Sequence, residues 1–328
     1  MSQVITLPAL PQPIAIAEGV IHGAGTNFIE ANTQLLDISD LRERHLIPVF
    51  VKDNQPTISQ IDFIDTTWDV AQSIFGPTSL PPVIRVSHPI KNRIPEARHK
   101  AADDLEEWEK TIYYERMAFI AEFPSIAWRV NGKELTLTVG GIKAYNLDNL
   151  KHYSTSGTQH FKVFIGFKVT VCTNLCVWTD GFSCNWQVRS LKELGIRIRD
   201  LFETFQADKQ SQLMTLMDDY HLNERQFAQI LGRARMYHAL PPRMRREIPE
   251  LLIPDSHVST IAQEYYEDKH FCRLNDGSIS LWNFYNLLTS AGKRSYIDAF
   301  LERNVNAGQF TMHLAEAISG GTQSWYLS

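Results

Sequence analysis

The sequence predicts an α+β fold, with an antiparallel sheet-rich N-terminal half and a helical C-terminal half. Three observations lead there. Short apolar alternations bounded by turn residues run through residues 33–188. Asn131-Gly132, set between two such runs, is a strong two-residue hairpin signal. After residue 188 the apolar spacing changes to the helical period and holds it almost to the end. No flexible linker separates the halves. The expectation is one packed unit: an extended arm over 1–32, a sheet with helices over 33–188, and a helical lobe over 189–328 packed on the sheet.

The arm carries Pro8, Pro11 and Pro13, with Val4, Ile5, Leu7, Leu10 and Ile14 available for docking. Residues 47–51 read as a strand. The alternation over 59–65 reads as its hairpin partner, and 68–75 as a short helix. Residues 83–86 form a short strand. From 100 to 122 the spacing of Leu105, Trp108, Ile112, Met117 and Phe119 predicts a helix with an acidic outer face, ended by Pro124. Leu135, Leu137 and Val139 follow as the inward positions of the Asn131-Gly132 hairpin.

"HFKVFIGFKVTVCTNLCVWTDGFSCNW", residues 160–186, opens on a long strand. Phe161, Val163, Ile165, Phe167, Val169 and Val171 make one apolar face. Lys162, Phe164, Gly166, Lys168, Thr170 and Cys172 make the other, which its two lysines mark as open to solvent or to a ligand. A bend near Asn174, a turn at Gly181 and a return strand over 184–188 complete the unit. Helices then occupy much of 190–240, with Asn223 as an N-cap, and 258–269, 281–288 and 295–318. The last is expected to break near Asn306-Ala307-Gly308.

Cys172, Cys176 and Cys184 are spaced C-x3-C-x7-C, with His152 and His160 upstream. On an extended strand, positions 172 and 176 lie roughly 13 Å apart, too far for one ion. Buried core is the favoured reading; a metal site or a reactive thiol is the alternative.

The chain has 328 residues, 44% hydrophobic and 21% charged, with a net charge of −5. These values are ordinary for a globular protein and give no global attraction to nucleic acid or anionic lipid. No apolar run approaches a membrane span and no secretory signal opens the chain, so a cytoplasmic location with reduced thiols is expected. A nucleic-acid reading therefore needs a local patch. "RVSHPIKNRIPEARHK", residues 85–100, supplies one: Arg85, Lys91, Arg93, Arg98 and Lys100 against the single acid Glu96, with His88 and His99. Pro89 and Pro95 stiffen it. Arg189 and Lys192 begin a second basic stretch, and Arg233 to Arg246 include a third.

Catalytic signatures are missing: no G-x4-G-K-[ST], no G-x-S-x-G and no H-E-x-x-H. The glycines at 23 and 25 are too few for a dinucleotide fingerprint. Asp62 with Asp65, or Asp103 with Asp104, would suit Mg²⁺ in a nuclease only with further ligands. No cofactor is predicted.

Several motifs carry a resemblance. "HFKVFIGFKVTVCTNLCVWTDG" is similar to a strand segment of the phage/plasmid-like protein families of unknown function, and "SLWNFYNLLTSAGK" resembles their late helix. "VSHPIKNRIPEA" and "WTDGFSCNWQVRSLKEL" look like a bacterial mobile-element branch. The chain departs from the wider pattern after Asn174 and after Thr289. The resemblance implies a setting on phages, plasmids or conjugative elements, where recombination, replication and anti-defence functions cluster. The resulting expectation is a non-catalytic protein that binds nucleic acid, single-stranded DNA above all. Its phosphate-contacting residues are Arg85, His88, Lys91, Arg93, Arg98 and Lys100, with Lys162 and Lys168 on the adjoining sheet face and Arg189 and Lys192 as a flank. The alternatives are a protein-interaction or anti-defence factor using the acidic 101–122 helix, and a metal-dependent nuclease. A homo-oligomer is compatible with the sequence.

Overall fold

The computed structural model describes residues 27–44, 57–78, 80–149, 159–320 and 322–328. The expected strand at 47–51, the arm up to residue 26 and His152 lie outside them.

In chain order the N-terminal half comprises β1 (Gln34–Leu36), α1 (Ile38–Arg44), α2 (Gln60–Phe75), β2 (Val83–Val86), β3 (Pro89–Arg93), β4 (Lys110–Tyr114), β5 (Arg116–Val130), β6 (Lys133–Ala144), α3 (Tyr145–Asn149), β7 (Gln159–Val169), β8 (Leu175–Cys176) and β9 (Phe182–Val188). The C-terminal half comprises α4 (Leu191–Thr204), α5 (Ala207–Asp219), β10 (His221–Leu222), α6 (Glu224–Ala239), α7 (Pro242–Arg245), α8 (Asp255–Glu267), β11 (Ile279–Ser280), α9 (Leu281–Gly292) and α10 (Ile297–Ile318). The α+β division is as the sequence predicts.

One antiparallel sheet runs in the order β1-β2-β5-β6-β7, with β8 and β9 both on the far edge of β7. Asn131 and Gly132 turn β5 into β6 with φ of 46° and 70°, the left-handed geometry that this dipeptide tolerates. Pro124 does not end a helix. It lies inside β5, where the pairing register shifts between Phe123 and Ala127 and no ladder N–H is demanded of it.

The helix expected over 100–122 is replaced by 3-10 turns at 102–104 and 107–109, followed by β4 and β5. Trp108, assigned to its buried stripe, is 70% exposed. The run from Thr111 to Tyr114 is β-branched and aromatic, and strand pairing claims it. The opposite substitution occurs at 59–65. Ser59 accepts a hydrogen bond from the backbone N–H of Asp62, whose carboxylate accepts from the Ser59 N–H. That capping box starts α2 at Gln60, so the alternation read as a strand is the first half of one 16-residue helix.

Both faces of the sheet are buried. Phe119, Leu137, Val139, Phe161, Val163 and Ile165 meet Phe63 and Ile64 of α2 and Leu194, Ile198 and Phe202 of α4. Gly141 makes that approach possible, since a Cβ there would stand 2.4 Å from the Phe63 ring. Ala118, Ile120, Ile142 and Phe164 on the opposite face meet Ile297, Phe300, Leu301 and Val305 of α10, together with Phe28 and Ile29. The face expected to be open is therefore covered by the C-terminal helix.

α10 runs unbroken through Asn306-Ala307-Gly308. Asn306 is buried and holds the preceding loop, accepting from the Leu252 N–H at 2.8 Å and donating to the Glu250 carbonyl at 2.9 Å. Gly308 lies against Trp178, whose ring would stand 3.1 Å from a Cβ at that position. α9 is buried almost all round, which makes it the central helix of the lobe. Asn174, in the turn after β7, donates to Asn286 of α9. Thr173 takes φ 57° to make that turn, which ends β7 at Val169 and leaves Val171 exposed.

Cys176 is wholly buried and Cys172 half-buried, both as free thiols that burial pushes up. No group of three or more His, Cys, Asp or Glu side chains is placed to hold a metal among the described residues. No helix among them is long and apolar enough to cross a membrane.

Charge inside the fold is paired. Lys143 is completely buried, its ammonium 2.6 Å from Asp148 and 4.2 Å from the centre of the Phe161 ring. Burial lowers its pKa, and Asp148 opposes that shift. Removing one partner of such a pair leaves an uncompensated charge. Asp148→Asn is expected to cost about 3 kcal/mol in chemical denaturation, and Asp148→Asn with Lys143→Met to recover most of it. A single variant as stable as the parent would show that the pair is irrelevant to folding.

Glu264 of α8 is less well partnered, with Oε2 buried and without a hydrogen bond among the described residues. Burial, with Asp268 adding repulsion, pushes its carboxyl from 4.5 up to about 7. The folded form thus favours the protonated acid, and stability is lost as pH rises from about 4.5 through 7. Glu264→Gln is expected to match the parent near pH 4. By pH 8 it should be more stable by on the order of 1 kcal/mol, allowing for solvent screening. Melting curves at the two pH values check the sign.

Candidate nucleic-acid interface

The sheet sorts the expected cations into two groups. Arg85 points to the α10 face of β2 and is 7% exposed. Its Nε donates to Thr33 Oγ1 at 3.0 Å and a terminal nitrogen donates to the Thr33 carbonyl at 2.9 Å, while burial lowers its pKa. Lys162 lies under α10, held by Glu302 and the Asp298 carbonyl. Lys168, roughly 20 Å along the same strand, is 2.5 Å from Glu122. Both lysines are 7% exposed. These three side chains are structural: their charges are buried and partnered, so they do not form a phosphate-binding face.

The remaining residues gather at one end of the sheet. Ser87 follows β2 and donates through its N–H to the Arg116 carbonyl at 2.9 Å, and Tyr145 N–H donates to Glu115 at 2.9 Å. Gln159 pairs with Val188 in the same row. The chain between Ser87 and Arg116 leaves the sheet at this end as a separate β3–β4 ribbon. Arg189 and Lys192, both exposed, follow β9 at the same end, four strand spacings or roughly 19 Å away.

Along the ribbon, Arg93 pairs directly with Lys110 and Lys91 with Ile112. Strand alternation puts Lys91, Arg93 and Lys110 on one face. Lys91 is exposed, and Arg93 donates to the Lys100 carbonyl. Lys110 is 2.6 Å from the exposed Glu107. Near the tip, Arg98 is exposed and donates to the His99 ring at 3.2 Å. Lys100 is clamped to Glu109 at 2.6 Å, and that hydrogen bond, with one from the Glu106 N–H, holds the Glu109 carboxyl below its usual value. Residues 89–114 carry five cations and six acids. The positive character belongs to the strand face, and the acids occupy the turns beyond it.

At the root of the ribbon a half-open cleft of about 200 Å³ lies between Asn32, His88 and Ile90 on one side and Glu115, Arg116 and Tyr296 on the other. The His88 ring is bracketed by Asn32 Oδ1 at 2.9 Å and Gln34 Nε2 at 3.3 Å, which hold it in place. Arg116 Nε is 3.4 Å from Asp298 and has no hydrogen bond among the described residues.

Sequence reasoning missed Lys110, Glu115, Arg116 and Tyr296. The β-branched and aromatic "TIYY" run was the available signal for the first three, since a strand rather than a helix there turns Lys110 toward Arg93. Nothing local marks Tyr296, which reaches the cleft only because α10 folds back over the sheet.

No curated protein and no solved structure matches the chain. The profile of the family described as "Domain of unknown function, B. Theta Gene description (DUF3871)" matches residues 10–327, nearly the whole sequence, and the chain belongs to that family.

Proposed function

We propose that this protein binds a nucleic-acid strand, single-stranded DNA in the first instance, along the β3–β4 ribbon and without catalysing a reaction on it. The observation that carries this reading is the direct pairing of Arg93 with Lys110, with Lys91 on the same face. Three cations gathered on one face of a narrow ribbon offer charge-assisted hydrogen bonds to the phosphate oxygens of a strand laid along it. Arg98 near the tip and Arg189 with Lys192 across the sheet end extend the path. A role in recombination or replication on a phage, plasmid or conjugative element follows from the motif resemblance alone.

A second reading is a protein-interaction factor. Trp108 is 70% exposed between acidic neighbours on a 3-10 turn, and an exposed tryptophan is the side chain most suited to anchoring a partner. Capture of a partner that survives nuclease treatment and is lost with Trp108→Ala would favour it.

The ribbon is tested by fluorescence anisotropy with labelled oligo-dT between about 50 and about 200 mM salt. Log affinity should fall with log salt at about −0.7 per phosphate contacted. Lys91→Ala with Lys110→Ala should weaken binding at low salt and make that slope shallower by about 1.4. Binding that ignores salt, or no binding at low salt, defeats the proposal.

A further inference from the structure

The cleft at the root of the ribbon holds donors and one acceptor that the phosphate contacts above leave unused. An amide nitrogen can only donate, so Gln34 Nε2 donates to His88 Nδ1. His88 Nε2–H then donates to Asn32 Oδ1. The Asn32 oxygen is occupied, and no described residue accepts from its NH₂ group. Arg116 lies 3.7 Å from Glu115 through a terminal nitrogen and 3.4 Å from Asp298 through Nε, beyond good hydrogen-bond length to either, which leaves its terminal nitrogens for a ligand. Glu115 supplies a carboxylate beside these donors. Ile90 and Ile297 give apolar walls, and Tyr296 is 71% exposed at the margin.

We propose that this cleft receives a single guanine base. Its volume of about 200 Å³ falls below the roughly 300–1,000 Å³ of sites that engulf drug-sized ligands, so it suits one base rather than a whole cofactor. Guanine carries two adjacent N–H donors on its Watson–Crick edge, which one carboxylate accepts together, and two acceptors, O6 and N7, which amide and guanidinium donors meet. Adenine would turn a ring acceptor toward Glu115 and an amino group toward Arg116, so both contacts would be repulsive. Tyr296 is available to stack on the face of an unstacked base, as aromatic side chains do in single-strand recognition. The base would belong to a strand lying on the ribbon or to a free guanine nucleotide. The strand source rests on the function proposed above; the pocket chemistry does not.

The experiment uses the full chain with two probes: labelled oligo-dT carrying one central dG, dA or hypoxanthine, and free GMP. The dG strand should bind about tenfold tighter than the dA strand. Hypoxanthine, which lacks the N2 donor, should fall between them. Glu115→Gln should abolish the preference and Tyr296→Ala should weaken the dG strand selectively, with melting curves showing that each variant is folded. Salt-dependent strand binding with equal affinity for dG and dA, and no GMP binding, overturns the pocket and leaves the ribbon standing. Saturable GMP binding lost in Glu115→Gln, with no strand binding, upholds the pocket and overturns the ribbon. No binding of either probe removes both.

Discussion

The constraint on which the rest of the structure depends is that its central sheet is buried on both faces. α2 and α4 cover one side and α10 the other. A charged side chain on any inner strand position must therefore bring its partner with it, because an isolated buried charge is far costlier than a paired one. Lys143 takes Asp148, Lys162 takes Glu302, Lys168 takes Glu122, and Arg85 takes the carbonyl and hydroxyl of Thr33. Two of these contacts also position elements. Lys162 anchors α10 on the strand it covers, and Arg85 fixes the segment leading into β1.

The same constraint separates the buried charges from the exposed ones. Cations inside the layers are consumed by the fold, whereas Lys91, Arg98, Arg189 and Lys192 stand exposed on chain that leaves the sheet. The β3–β4 ribbon and the β9–α4 corner do so at one end. The cleft forms where that ribbon returns to the sheet and the first turn of α10 passes by. Its lining brings Glu115 and Arg116, from the β4–β5 junction, beside Tyr296 and Ile297 at the start of α10.

The two halves are joined by one continuous apolar cluster, from Phe63 and Phe161 in the sheet half to Tyr265, Trp282 and Tyr326 in the helical half. Polar ties reinforce it: Asn174 to Asn286, and Lys293 to the Cys172 carbonyl. The cysteine-rich turn that most resembles a chemical site is thereby explained as packing. Its backbone is held by the helical lobe, and Cys176 lies in the core.

By itself the sequence determined the α+β division, the Asn131-Gly132 hairpin, the long strand at β7, the Asn223 cap and the clustering of cations in residues 85–100, because each rests on neighbours close in the chain. It misread 59–65 and 100–122, where a short alternation and a 3.6-residue spacing coincide by chance. A capping box decided the first for helix and strand pairing decided the second for sheet. Only the tertiary structure decided which lysines are free. Lys162 and Lys91 look alike in sequence, yet α10, more than 130 residues downstream, buries one and leaves the other in solvent. Burial depends on which distant element a face meets, and no local pattern carries that information.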